Sequence, residues 1–223
     1  MERVGVWHEE RDTYISEPEE VVKITEIAPV IAPPEILPTE SKAGTEERVH
    51  THVQWLLAKI GHAFKYTVWI ASNDHKRTWD KEPLGKYSIP ELPQFNGVGP
   101  KSQHMIELID VVWLKGRTII GAFEIEGSTS IYSGLLRMSD LSLALPNFVF
   151  PLYIAVPETR VKEVEAQLLR LTFQHLGLHQ RCRFFTFEKL IQDANPIMQY
   201  ASDATAMNRI AYQVPEINPE EYF

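Results

Sequence analysis

One cysteine in 223 residues, Cys182, excludes an internal disulfide and any zinc site built from several cysteines. It suits a reducing, cytoplasmic setting, and within Arg181-Cys182-Arg183-Phe184-Phe185 it reads as a packed thiol. No apolar run is long enough to cross a bilayer. Met1 to Glu10 lacks the apolar core of a secretory signal, so a cytoplasmic protein without membrane attachment is expected. The chain also lacks a Walker loop, a Gly-rich dinucleotide fingerprint and a zinc-finger pattern. Its eight histidines are scattered, with none in a recognisable Ser-His-Asp context. His50 and His52, with no cysteine nearby, make a poor zinc signature.

Positive charge is in short supply: 22 Lys and Arg stand against 30 Asp and Glu, a net of −8. Taken whole, that balance speaks against a polyanionic partner, but its distribution reverses the inference. Residues 1–47 carry 12 acidic and 4 basic residues, leaving 18 of each sign in residues 48–223. The excess acidity belongs to the N-terminal segment, and the neutral remainder has room for a local basic patch.

Three regions follow. Residues 1–44 form an acidic extension that is Pro-rich from Ala28 to Pro38, where an extended conformation is expected. Val22-Lys23-Ile24-Thr25 has the alternation of a short strand. The extension is either a partly ordered arm or an element that docks on a partner or covers a basic groove. Residues 45–200 carry the periodicity of an α/β domain, and 201–223 form a weakly patterned tail.

Within the domain, Thr45-Glu46-Glu47 resembles a cap. Val49, Val53, Leu56, Leu57 and Ile60 recur at helical spacing until Gly61. Strands are expected at Tyr66–Ala71, Met105–Leu114, Thr118–Glu126, Pro151–Val156 and Cys182–Phe187. Lys115-Gly116 makes a tight turn between the second and third. Helices are expected at Ser130–Leu145, Thr159–Leu176 and Glu188–Tyr200, and Ser72–Lys86 reads as a long polar loop. This order predicts a mixed sheet flanked by helices on both faces.

Three carboxylates interrupt the apolar ribbon: Asp110, Glu124 and Glu126. A charge among apolar strand residues is costly unless paired. Glu124 and Glu126 are two residues apart and share a strand face. If the two segments pair as a hairpin, all three converge, and a hard divalent cation is their natural occupant. The alternative is a half-exposed strand whose acids face water and pair with cross-strand Lys or Arg.

The order αβββαβ, over about Thr45 to Val156, resembles the PD-(D/E)xK superfamily that includes many restriction endonucleases. Asp110 falls on the family's first acid, with Ile109 in place of Pro, and Glu124 on the second. Glu126 stands where the motif has Lys, an ExE variant. The stretch from Phe123 through Gly127-Ser128-Thr129-Ser130 to Asp140 is similar to uncharacterised bacterial proteins of that superfamily.

The resemblance implies a restriction-endonuclease-like core and Mg²⁺- or Mn²⁺-dependent hydrolysis of DNA, plausibly in restriction or other antiviral defence. It implies a metal held by Asp110, Glu124 and the Ile125 carbonyl, with Glu126 orienting or deprotonating water or binding a second ion. Arg137, on the following helix, either supplies the missing positive charge or pairs with Asp140 at i,i+3. Ser130 is a candidate N-cap or phosphate contact. Lys76, Arg77 and Trp79 are candidates to track and stack on nucleic acid. Glu47, His50 and Gln54 either line the same cleft or face solvent. A homodimer or a defence-complex subunit is a natural expectation for double-strand cutting. The alternative is an inactive nuclease-fold module that binds nucleic acid or a partner protein.

Overall fold

The computed structural model describes residues 6–8, 13–15, 40–128 and 130–215. The strand expected at 22–25, the Pro-rich run at 28–38 and Thr129 lie outside the described residues. The chain divides into two units, Met1–Pro38 and Thr39–Phe223. In the first, β1 (Val6–His8) pairs antiparallel with β2 (Thr13–Ile15), Val6 opposite Ile15.

The second unit opens with α1 (Glu40–Ala63) and β3 (Thr67–Ile70). A tiny hairpin, β4 (Thr78–Trp79) with β5 (Glu82–Pro83), occupies the segment expected to be loop. Then come α2 (Pro100–Glu107), β6 (Val111–Lys115), β7 (Thr118–Ile125), α3 (Ile131–Ala144) and β8 (Leu152–Val156). The chain continues through α4 (Val161–Leu168), α5 (Leu171–His175), α6 (Leu178–Arg181), β9 (Cys182–Thr186) and α7 (Phe187–Tyr200). A 3-10 turn spans Ala204–Arg209.

The main sheet has the order β3-β6-β7-β8-β9, antiparallel between its first three members and parallel between its last three. All five residues of β8 are buried, as a central parallel strand requires. Each face of the sheet carries its own core. Phe123, Ile125, Tyr153 and Phe185 pack with α1 and α7 on one face. Val112, Ala122, Ile154 and Phe184 pack with α3, α4 and α5 on the other. Met207 and Ile210 from the tail join the first core and Val214 the second. Cys182 is a buried free thiol, pushed well above its ordinary pKa by burial. Among the described residues no helix is long and apolar enough to cross a membrane.

Several boundaries depart from expectation. The first helix begins at Glu40, before Thr45, because Glu40, Lys42 and Ala43 are good helix formers and extend the helix N-terminally through Gly44. The strand expected from Met105 is a helix up to Glu107. Gly99 occupies its N-cap position and Pro100 its first turn, where a missing N–H costs nothing. The helix expected over Thr159–Leu176 breaks at Arg170, whose backbone is extended. Gly61 does not end α1 but lies inside it. A Cβ there would stand 2.7 Å from Trp113 Nε1 and 2.8 Å from Val68 Cγ2, so glycine lets the helix press onto the sheet. The same Trp113 Nε1 donates to the Leu57 carbonyl at 3.0 Å.

Gly61→Ala therefore sets a helix-propensity gain of about 1 kcal/mol against an overpacking cost of about 1–3 kcal/mol. The indole is fully buried and cannot withdraw, so the cost prevails. Urea unfolding should show a lowered midpoint; an unchanged or raised midpoint would contradict this packing.

Candidate active site

Asp110 does not lie within a strand. It ends the connection from α2 and immediately precedes β6. The register pairs Val111 with Phe123, which brings Asp110 beside Glu124 at one end of the sheet. The Asp110 Oδ2 accepts a hydrogen bond from the Ile125 N–H at 2.7 Å. This contact fixes the carboxylate across the strand ends. Burial raises Asp110 from the ordinary carboxylate range to about 7, with the Ile125 amide and Arg137 acting against the rise.

Glu124 and Glu126 are not half-exposed; they are 0% and 1% accessible. Strand alternation puts Glu124 on the face of Ala122, under α3, while Ile125 enters the opposite core. There Arg137 meets it as a fork: Nε donates to Glu124 Oε1 at 2.8 Å and Nη2 to Oε2 at 2.6 Å. Nη2 also reaches Glu126 Oε1 at 3.3 Å. The Arg137–Asp140 pairing open from sequence gives way to this contact, because the fully buried Glu124 competes better for a guanidinium than the half-buried Asp140. Gly134 makes the approach possible, since a Cβ there would stand 2.4 Å from Glu126 Oε1. Burial, with Asp110 adding to it, pushes Glu124 up, while the Arg137 fork pulls against both. Arg137 is raised in turn and stays protonated.

On the α1 side, His50 Nε2 lies 3.7 Å from Asp110 Oδ1 and 3.9 Å from Asp74 Oδ2. Asp74 is 3% accessible. Its Oδ2 accepts from the fully buried Gln54 side chain at 2.7 Å, and its Oδ1 lies 3.1 Å from Arg77 Nε. Burial lowers the His50 pKa, with Asp74 opposing and Arg77 assisting the change. The Ile125 carbonyl is near enough to the His50 ring to favour its protonated form.

Potential ligand atoms of His50, Asp74 and Asp110 all lie within 4.8 Å of one another. Among the described residues this is the group of three such side chains with that spacing, and Glu124 is outside it. The acids thus form two linked sets, one on each side of Asp110. Asp110 faces His50 and Asp74, while Glu124 and Glu126 share Arg137.

Other expected residues are placed as follows. Glu47 is exposed and lies 3.4 Å from Arg77 Nε, so Arg77 holds two acids. Lys76 is exposed. Trp79 stacks on His52, with centroids 4.0 Å apart, and Arg48 lies over the same indole at 5.6 Å. Ser130 is at the N-cap position of α3, but its side chain makes no capping bond; its carbonyl accepts from the Ser133 amide and hydroxyl. Asp74 went unnoticed in the sequence because Ser72-Asn73-Asp74 looks like polar loop. Its position 20 residues after Gln54 carries no periodic signal.

With this geometry described, relatives can be compared. A family model described as the type II restriction enzyme NmeDI C-terminal domain matches residues 31–201. The chain belongs to that family. A relative, the type II restriction enzyme NmeDI of Neisseria meningitidis serogroup C, is 28% identical over 119 residues. The match covers 49% of this chain and 33% of that enzyme, so the chain spans about a third of the relative's length. No solved structure matches.

The raised Asp110 pKa has a stability consequence. Its folded value, about 7, lies above the unfolded value of about 3.9, so folding takes up a proton between them. The stability from the protonated form is complete below about pH 4 and is lost as pH rises to about 7. In EDTA, Asp110→Asn should be more stable than the parent at pH 8 by roughly 2–4 kcal/mol, with the gain shrinking towards pH 4. Thermal melts that show no pH-dependent difference would contradict the buried, proton-binding state of Asp110.

Proposed function

We propose that this chain is a metal-dependent nuclease domain of the PD-(D/E)xK type that hydrolyses phosphodiester bonds in DNA, serving restriction or another defence against foreign DNA. The observation that carries the reading is the placement of Asp110 beside the Glu124–Ile125 strand end, locked by the Ile125 N–H at 2.7 Å, in a chain of a restriction-enzyme family.

The donors fit a divalent cation. Asp110 offers an oxygen, the Ile125 carbonyl lies near the His50 ring, the buried His50 Nε2 makes no hydrogen bond, and Glu124 would join by releasing an oxygen from the Arg137 fork. Mg²⁺ or Mn²⁺, held by Asp110, Glu124 and the Ile125 carbonyl, would supply neutralisation of the phosphate and acidification of water. Asp110 is oriented by its amide contact. Glu126 stands at the position of the motif's Lys and is the carboxylate that takes the water's proton at Oε1. Arg137 replaces the positive charge that a Lys would bring, from the helix instead of the strand. Lys76 is exposed and offers a contact to the DNA backbone, and Trp79 and Ser130 are the further residues we assign to DNA contact. Cutting both strands calls for two such sites, through a homodimer or a larger complex.

One observation favours a second reading. Both Glu124 oxygens are occupied by Arg137, as in a module that binds nucleic acid without cutting it.

The purified chain should nick or linearise supercoiled plasmid in Mg²⁺ or Mn²⁺ and not in EDTA. Asp110→Asn and Glu124→Gln should each lower the rate by about a thousandfold while retaining the circular dichroism spectrum, because several kcal/mol of transition-state stabilisation depend on the cation. Salt-sensitive binding of DNA with no cleavage in either ion would favour the second reading and end the first.

A further inference from the structure

Asp110 Oδ2 is taken by the Ile125 amide, while Oδ1 lies 3.7 Å from His50 Nε2 of α1, which also neighbours Asp74 of the turn after β3. We infer that His50, Asp74 and Asp110 form a binding site for a first-row transition divalent cation, with Mn²⁺ preferred over Mg²⁺. The inference rests on the same Asp110 as the cleavage reading but adds ligands that the restriction-enzyme resemblance does not supply.

Distance supports it. Two ligands each about 2.1 Å from one ion stand about 3.0–4.2 Å apart for angles between a right angle and opposition. His50 Nε2 is 3.7 Å from Asp110 Oδ1 and 3.9 Å from Asp74 Oδ2. These separations are too long for hydrogen bonds and fall within the span of a shared ion.

Unmet polar capacity supports it independently. His50 Nε2 is buried without a hydrogen-bond partner. Gln54, 0% accessible, reaches the cluster through Nε2, which donates to Asp74 Oδ2 at 2.7 Å, while its Oε1 has no partner. Buried polar atoms left this way are rare in native proteins, and the His50 nitrogen stands beside both aspartates. The outer contacts are those of a metal site. Gln54 donates to Asp74 Oδ2, the oxygen 3.9 Å from His50 Nε2, and Arg77 Nε stands 3.1 Å from Oδ1.

The donor set selects the ion. An imidazole nitrogen with two carboxylate oxygens suits Mn²⁺ and its heavier neighbours, whereas Mg²⁺ keeps to oxygen ligands and gives up water reluctantly.

The test is binding of Mn²⁺ to the full metal-free chain without DNA, followed by calorimetry and by electron paramagnetic resonance. The inference expects nitrogen coupling to bound Mn²⁺ and at least tenfold weaker competition from Mg²⁺. It expects a tenfold or greater loss of affinity in His50→Gln and in Asp74→Asn. Circular dichroism and melting temperature identify any variant that fails to fold, and either variant alone suffices. Mn²⁺ bound without nitrogen coupling, or lost only in Glu124→Gln, overturns the inference and leaves the cleavage reading intact. Mn²⁺ binding that depends on His50 in a chain that does not cut DNA keeps the inference and ends the cleavage reading. Absence of any Mn²⁺ binding overturns the inference.

Discussion

Glu124 sits near the end of the central strand β7 with none of its surface exposed, and the Arg137 fork is what makes that position tolerable. An ionised carboxylate removed from water loses several kcal/mol of solvation, which a charge-assisted, two-point contact recovers in large part. The sequence around Arg137 is arranged to deliver it. Gly134 and Arg137 are three apart on α3, so they share a face. The missing side chain at 134 lowers the helix onto Glu126 while the long side chain at 137 reaches Glu124. Neither would serve alone. A methyl group at 134 would collide with Glu126, and a shorter side chain at 137 would leave Glu124 buried without its partner.

Two cations do not balance the neighbourhood. Asp74, Asp110, Glu124 and Glu126 are four acids gathered at one end of the sheet, against Arg77 and Arg137. The deficit has two remedies, protons or a metal. Without metal, burial raises Asp110 to about 7 and drives Glu124 upward, which is the proton remedy. A divalent cation would displace those protons and correct the charge with better geometry. The excess of acids is therefore a cost in stability carried by the fold. Such local cost is common where a protein holds groups for chemistry and not for packing.

Much of this was legible in the chain because its strands are strongly patterned. The β6 and β7 residues and the buried run of β8 announce themselves by composition, and the pairing of β6 with β7 follows from the short turn after Lys115. The acids stood out because charges are foreign to such runs. What was not legible depended on contacts between distant segments. Asp74 is buried where Gln54 on α1 and Arg77, just before β4, close around it. Helix α2 had its signal in Gly99-Pro100, but Ile106, Leu108 and Ile109 pulled the reading towards a strand. Short apolar runs fit both periods. Gly61 looked like a helix end when its purpose is close approach to Trp113, which only the packed structure reveals.

The replacement of a strand Lys by Glu126 and a helix Arg changes more than the source of positive charge in the proposed cleavage. A Lys near neutrality can exchange a proton when burial lowers its pKa. Arg137 cannot, because its pairing with Glu124 raises an already high value. Arg137 is then a fixed charge, and proton movement at this site falls to carboxylates and to His50. Among these, Asp110 is the group whose value lies near neutrality, while burial lowers His50 towards its neutral form. A neutral imidazole beside a deprotonated Asp110 is the state with lone pairs to share. The physical conditions that deprotonate Asp110 are the same ones that make this end of the sheet ready for a cation.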